Sequence, residues 1–578
     1  MHRLSGAVLA LAFLAGACAP AAAPAPSAPT PAAPAATAAP RPTAVPTAPS
    51  APATAASPTP RPPTSAPAPV PAAGGAQPTS GGILNVAHFE DPPNYDIAEQ
   101  TSVSSLAPLR NVYDGLVKYH YKNHGEVVPE LAESWEVNGD GTVYTFRLRK
   151  GVTWHDGKPF TSEDVVYSLS RMARPQEFKT ISPRGEALLA AMSKAEAVDA
   201  STVRVTLKFS SASFLRGMAT DNILMMPKHT LLANNGDMKR VVNGTGPFTW
   251  ARHDRDVSIQ MKKNPNYWDK GLPYMDGLTF FIIRDDNTRF AAFRAGRVRI
   301  TTIASRALSP TQADTVRTEM ASTVTLAEHP ALARTVFFMN MTRDPWKDVR
   351  VRQAVQLALD RQNMLKAGGG GGVIGAALNP QGVWGLTPDD LIKLPGYRPD
   401  KTQDIAAAKK LLADAGYGKG AKTVMLNRIG GSGRLGPVIK QQLAEVGIDV
   451  QLDLQEQGPA FDRLNNKTFD SAWWGLAEPM DDPDPTFAAL YVTDGSRNFG
   501  SFSDKQIDAM YDQQTRTLDI AKRKEIVRNM QLRIIELGGY IVSYWDLYYR
   551  AWWKEVRDYE PGNGLYDNLK MDKVWISR

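Results

Sequence analysis

The sequence predicts an α/β fold behind an N-terminal leader that stays unstructured, and three observations carry the expectation. From about Gly81 to Arg578, short apolar strands alternate with capped amphipathic helices. One βαβ unit stands complete between residues 422 and 456, as KTVMLNRI, PVIKQQLAEVG and IDVQLDLQE. Residues 19–80, by contrast, are almost entirely Ala, Pro, Thr and Ser. They hold no apolar side chains large enough to offset the entropy of ordering them.

The first residues, MHRLSGAVLALAFLAGAC, begin with a short basic start, His2 and Arg3. An apolar run from Ala7 to Leu14 follows, then the small residues Ala15, Gly16 and Ala17, then Cys18, the only cysteine. The run is too short to span a bilayer and reads as an export signal. A small-residue exit ending on cysteine is similar to a bacterial lipoprotein signal, in which that cysteine becomes the lipidated first residue. Ala15 stands where the pattern usually has Leu, so a plain cut near Ala17–Ala22 is the other reading. Of the 43 prolines 19 fall ahead of position 80, and Arg41 and Arg61 are the only charges in 19–80. Extended at ~3.1 Å per residue, such a segment makes a tether with a reach on the order of 100 Å. A wall-spanning or glycosylated stalk fits the same composition.

Within the folded part, GGILNVAHF gives the first strand. ESWEV and TVYTFRLR alternate around NGDG, a turn that lacks the spaced carboxylates of a calcium loop. Thr161 caps a helix with Asp164 three residues on, and Val165, Leu169 and Met172 form its apolar stripe. Asp348 opens DVRVRQAVQLALDRQNML, with Val351, Val355, Ala358 and Leu365 on one face. DIAAAKKLLADAGYG ends at Gly416. After the βαβ unit come a strand, FDSAWWGL, two helices, SFSDKQIDAMYDQQ and DIAKRKEIVRNMQLRIIEL, and a last strand, IVSYWDLYYRAWW. Gly368–Gly372 reads as a flexible loop.

Composition excludes several functions. The net charge of +7 is dispersed, without the basic runs and interleaved aromatics that grip nucleic acid. A single cysteine rules out an intramolecular disulfide and a Cys-based zinc site. No G-x-S-x-G or H-E-x-x-H occurs, and no cysteine is left as nucleophile after processing, so no enzyme is expected. No cofactor is expected either. GSGRLG (Gly431, Gly433, Gly436) has the spacing of a dinucleotide loop, with Glu456 about 20 residues on, but Pro437 opens the helix as an ordinary first residue. It reads as a glycine-rich turn. His120, His124 and Glu126 lie in a loop-like context, and His155–Asp156 in the tight turn WHDG.

The segment WWGLAEPMDDPDPTF is the candidate site. Trp473 and Trp474 precede Glu478, Asp481, Asp482 and Asp484, set among prolines. A carboxylate on a rigid loop beside aromatic faces can hold a cationic amine. Alternatively, the prolines make turns and the acids cap the next helix.

Residues 127–172, VVPELAESWEVNGDGTVYTFRLRKGVTWHDGKPFTSEDVVYSLSRM, closely resemble the signature segment of family 5 solute-binding proteins. RNVYDGLVKY (110–119), NGTGPFTW (243–250), KKNPNYWDKGLPYMDGL (262–278), DVRVRQAVQLALDR (348–361), AKKLLADAGY (408–417), QLAEVGIDVQL (442–452) and DDPDPTF (481–487) follow in the family's order. The resemblance implies a periplasmic-binding-protein type II fold, two lobes joined by a two-crossing hinge. The first lobe would be 81–333 plus 546–578, with an extra subdomain near 123–229, and the second 334–545. It implies an extracytoplasmic receptor of an ABC importer, monomeric, that hands a peptide or peptide-like solute to membrane permease subunits. Nickel complexes, opines, glutathione and sugars are also family ligands, and a sensory or chaperone-like role fits the same fold; a hydrolase fits less well. Counting back from Asp484-Pro485, Asp481 takes the place of the aspartate that holds a peptide's α-amine. Glu478, however, stands where those members have a tryptophan, so either acid can carry the charge. Trp473, Trp474 and Trp384 are then expected as apolar walls.

Overall fold

The structure is a computed structural model that describes residues 77–100, 102–123, 125–303, 308–562 and 568–577. The signal segment, Cys18 and nearly all of the tether lie outside the described residues. The strand Ile83–His88 runs parallel to Gly277–Ile282. Ser258–Lys263 and then Phe248–Asp254 add to it antiparallel. This four-stranded sheet is the frame of the first lobe.

A second, wholly antiparallel sheet forms the subdomain, in the order Ala132–Val137, Val143–Leu148, Thr202–Leu207, Met192–Asp199. Period-two alternation sends Tyr144, Phe146 and Leu148 inward, as the sequence pattern requires. NGDG is a turn closed by its own side chains: Asn138 Oδ1 accepts from Thr142 N at 2.9 Å and from Val143 N at 2.8 Å. The helix Ser162–Ala173 lays Val165, Leu169 and Met172, all fully buried, into the core. At its start Thr161 N donates to Asp164 Oδ2 at 3.0 Å.

The second lobe is built on a six-stranded mixed sheet. Its order is Gly372–Val373, Ile541–Trp553, Val324–Met339, Ser471–Ala477, Ala421–Arg428, Ile448–Gln455. The βαβ unit is there as read: the last two strands are parallel, and Ile439 and Leu443 of helix Gly436–Glu445 are buried beneath them. Its glycines are explained by packing. A Cβ on Gly433 would overlap Arg428 O, and one on Gly436 would meet the Asn427 amide. One expectation is corrected. The helix opened by Asp348 stops at Ala358 and does not continue to Leu365; Leu359 is extended (φ −71°, ψ 114°) and Asp360 caps a new helix, Arg361–Ala367. The break lets the buried Arg361 donate to Val542 O at 2.9 Å and Gly396 O at 2.6 Å while it lies on the Tyr397 ring.

Two long strands join the lobes. Val324–Met339, the first hinge strand, is antiparallel to Ile541–Trp553, the second. At one end they reach the first-lobe sheet, where Ile300 bridges Val86 on one side and Trp552 on the other. At the other end they are central strands of the second lobe. Their register shifts between Pro330 and Arg334 and again between Arg334 and Val336. A bulge there bends the ladder where the chain passes between lobes. This is the two-crossing hinge of a type II binding fold.

Candidate functional site

The hinge irregularity opens onto a cavity of about 430 Å³. Its floor is the hinge pair, with Arg334 and Thr335 from one strand and Tyr544, Asp546 and Tyr549 from the other. The end of strand Ser471–Ala477 supplies one wall, through Gly475 to Ala477, and Arg428 and Arg434 approach from the βα turn. A second cavity, about 540 Å³, lies beyond Ala477 between the subdomain and the second lobe, and Glu478, Met480, Asp484 and Ser213 line it.

The charges are arranged by burial. Arg334 is 1% exposed, stacked 4.5 Å from the Trp545 ring centre, with Nη1 2.7 Å from Glu478 Oε1. Glu478 N also donates to Leu332 O at 2.7 Å, which fixes the loop to the hinge. Thus Glu478 lines the second cavity, and its side chain already has a cation in Arg334, which lines the first. Asp481 sits outside both linings. Its carboxylate accepts from Val383 N at 3.2 Å and packs on Gly382, and burial raises its pKa above the usual carboxylate value.

The neighbouring acids do structural work. Asp482 accepts from both Nη atoms of Arg523, at 2.6 and 3.0 Å, and caps helix Pro483–Leu490 through Asp484 N. Asp484 accepts from Gln514, from Thr515 Oγ1 at 3.0 Å and, across the lobes, from Ser213 Oγ. Burial raises its pKa too, with Asp482 adding to the effect. Two more links cross at the same place: Ala212 N donates to Thr515 O at 2.9 Å, and Arg216 Nη2 to Asp481 O at 3.0 Å. Arg216 Nε lies 3.4 Å from Asp482. The acidic loop is therefore where the subdomain clasps the second lobe.

The tryptophans divide. Adjacent strand residues face opposite sides, so Trp473 points into the core on the face covered by helix Val349–Ala358, with Trp346, Val355 and Ile439, and has no exposed surface. It cannot form a wall of the cleft. Trp474 lies on the other face, stacked on Phe461 at 6.0 Å, and is 7% exposed. Trp384 is also 7% exposed, with the Arg523 guanidinium 4.7 Å from its ring centre. The structure so separates the three and, of the two acids expected to hold an amine, brings Glu478 and not Asp481 to a cavity. Among the other motifs, His120 Nδ1 accepts from Lys122 N and Asn123 N within a turn, and His155 Nε2 donates to Gly246 O at 3.0 Å. His124 lies outside the described residues. No cluster of three or more metal-ligating side chains occurs among the described residues, nor any helix long and apolar enough to cross a membrane.

Sequence reasoning missed Arg334, Arg428, Arg434 and Asp546. One signal was available for the last: Asp546 is the lone acid in the aromatic run SYWDLYYRAWW.

Comparison with known proteins agrees with the fold. The family model for bacterial extracellular solute-binding proteins, family 5, middle region, matches residues 126–498. A dipeptide-binding protein of Escherichia coli K12 is 29% identical over 500 residues, 81% of this chain and 90% of the relative. Heme-binding protein A of Haemophilus influenzae is 29% identical over 464 residues, 75% and 81% of the two chains. Among solved structures, AgaA of A. tumefaciens R10 in complex with agropinic acid superposes with a TM-score of 0.69 at 27% identity, covering 86% of this chain and 99% of that one. The chain belongs to the bacterial extracellular solute-binding proteins of family 5.

Proposed function

We propose that this chain is the extracytoplasmic receptor of an ABC importer, capturing a peptide or peptide-like solute between its lobes and presenting it to the permease. The observation that carries the reading is the cavity at the hinge, which is lined by groups of both charges, Asp546 with Arg428 and Arg434, where the lobes pivot. A solute touching both lobes there stabilises the closed form, because only differential affinity shifts a two-state population. Relatives named for dipeptides, di- and tripeptides and glutathione favour a peptide-like ligand. A non-peptide solute is the second reading, favoured by the likeness to the heme-binding relative and to the agropinic-acid complex.

The lobes are taken as 81–333 with 546–578, and 334–545, since the hinge ladder loses register between Pro330 and Val336. The subdomain is taken as 123–229, which encloses the four-stranded sheet of residues 132–207. Export, lipidation at Cys18 and the tether of 19–80 complete the proposal, as does a monomeric receptor held near the membrane. They rest on the sequence pattern. Of the two candidate acids of that loop, the reading favours Glu478, which lines the second cavity, over Asp481, which lines neither. The test is calorimetry on the purified receptor with a di- and tripeptide panel: micromolar or tighter binding of some members supports the proposal, and binding of none sinks the peptide reading. Intact mass of the protein from its native host, with and without a diacylglyceryl increment on Cys18, decides the anchor.

A further inference from the structure

Most carboxylates near the cleft already have partners: Glu478 has Arg334, Asp482 has Arg523, and Asp484 has Gln514, Thr515 and Ser213. Asp546 differs. It is partly buried in the floor of the hinge cavity and among the described residues it forms no ion pair and accepts no hydrogen bond to its side chain. Withdrawing a carboxylate from water without a partner is costly, so its place here calls for an explanation. Strand alternation puts Asp546 on the same face as Tyr544, the cavity face, while Trp545 between them turns into the core beneath Arg334.

The surroundings keep that carboxylate accessible. Gly372 pairs with Asp546 in the sheet, and Leu547 N donates to Gly371 O at 3.1 Å. The run Gly368–Gly372, which the sequence marks only as a loop, is thereby laid along the cavity rim. A Cβ on Gly368 would overlap the Tyr544 hydroxyl, one on Gly371 would come within 3.3 Å of the Tyr549 ring, and one on Gly372 within 2.7 Å of Trp545 O. Gly369 and Gly370 have φ of 100° and 81°. Glycine is required by contact or by conformation along the run, and the result is a rim with no side chains beside Asp546.

We propose that Asp546 is the cation subsite of this receptor, seating an ammonium or guanidinium group of the solute against the hinge. This rests on the receptor reading above and deepens it by naming the ligand's chemistry: a small solute with a cationic nitrogen at Asp546 and an anionic group toward Arg428 and Arg434. The cation would lie directly on the second hinge strand, so its binding is felt where the lobes pivot. The groups that face Asp546 from neighbouring elements are Arg334 with its Glu478, Arg428, Arg434, Tyr544 and Tyr549. Burial lifts the free carboxyl to a pKa of about 7. A cation must displace that proton, so binding strengthens as pH rises through 7 and weakens below it.

The experiment incubates the full-length protein, and its Asp546→Asn and Asp546→Glu variants, with a mixed di- and tripeptide library and the same library N-acetylated. Retained members are read by native mass spectrometry at about pH 8 and about pH 5.5, either side of the carboxyl's titration. Wild type is expected to retain free peptides, and from the acetylated library only members with Lys or Arg, more at the higher pH. Asp546→Asn is expected to weaken retention roughly 30- to 100-fold, the loss of one charge-assisted contact, and to abolish the pH dependence. Asp546→Glu keeps the pH dependence. Retention of the same members by wild type and Asp546→Asn, with one pH profile, overturns the cation subsite and leaves the receptor reading standing. No retention by wild type from either library overturns the peptide-receptor reading, and this assignment with it.

Discussion

Arg216 makes contacts across the lobes that can be removed without disturbing any proposed ligand contact. It belongs to the short helix Phe214–Met218 of the subdomain. Its Nη2 donates to Asp481 O at 3.0 Å and its Nε lies 3.4 Å from the fully buried Asp482 carboxylate, both on the second lobe. Arg216→Ala removes one charge-assisted hydrogen bond, about 1.5–3 kcal/mol. It also removes one partly exposed ion pair, at most about 1 kcal/mol. Asp482 keeps both bonds to Arg523, so no carboxylate is orphaned. A net loss of about 2 kcal/mol from the closed form alone shifts the closing equilibrium roughly 30-fold. Ligand affinity falls by up to the same factor, since the binding-competent population sets the apparent constant. Small-angle scattering of the ligand-free protein and calorimetry on a bound solute measure the two effects. Unchanged scattering together with affinity within about twofold of wild type would refute the clasp.

Three further outcomes follow from placement and burial. Trp473→Ala should cost about 3–5 kcal/mol in urea unfolding, because it empties a core site, while solute affinity measured on the folded variant stays the same. Glu130, at 0% exposure, accepts from Arg110 Nη2 at 2.8 Å and Lys570 Nζ at 2.7 Å. Glu130→Ala should therefore cost roughly 3–5 kcal/mol by leaving buried cations short of an anion, read as a lowered urea midpoint. His88 is fully buried and burial depresses its pKa from 6.5 to about 4. Its stability contribution is complete above pH 6.5 and is lost as pH falls toward 4, on the order of 3 kcal/mol, since the unfolded chain takes up the proton first. The pH dependence of thermal unfolding should flatten over that window in His88→Gln; an unaltered slope would contradict the assignment.

Local chemistry was legible in the sequence and long-range pairing was not. The βαβ unit, the turn at NGDG and the cap at Thr161 depend on neighbours a few residues apart, and alternation or capping residues disclose them. The helix from Asp348 looked continuous because its apolar stripe runs past the break. What interrupts it is Arg361 reaching Val542 and Gly396, contacts no local pattern records. The first hinge strand was not singled out at all, since its partner lies more than 200 residues away. The site suffered for the same reason. Acids at 481, 482 and 484 look alike in sequence, yet Arg523, Gln514 and Arg216, brought by other elements, turn them inward to capping and clasping. Adjacent tryptophans suggested one aromatic wall, and the two-residue period of the strand places them on opposite faces. Asp546 gained its place only when the hinge strands paired and the glycine run folded beside it.

The central claim is that the cleft at the hinge captures a solute. Its most direct test is mass spectrometry of small molecules released by denaturation from the protein purified out of its native host, followed by calorimetry with what is found. The account predicts a peptide or peptide-like solute with a cationic nitrogen, rebinding at one equivalent and lost in Asp546→Asn. A released solute with no cationic group, rebinding equally well to Asp546→Asn, would contradict it.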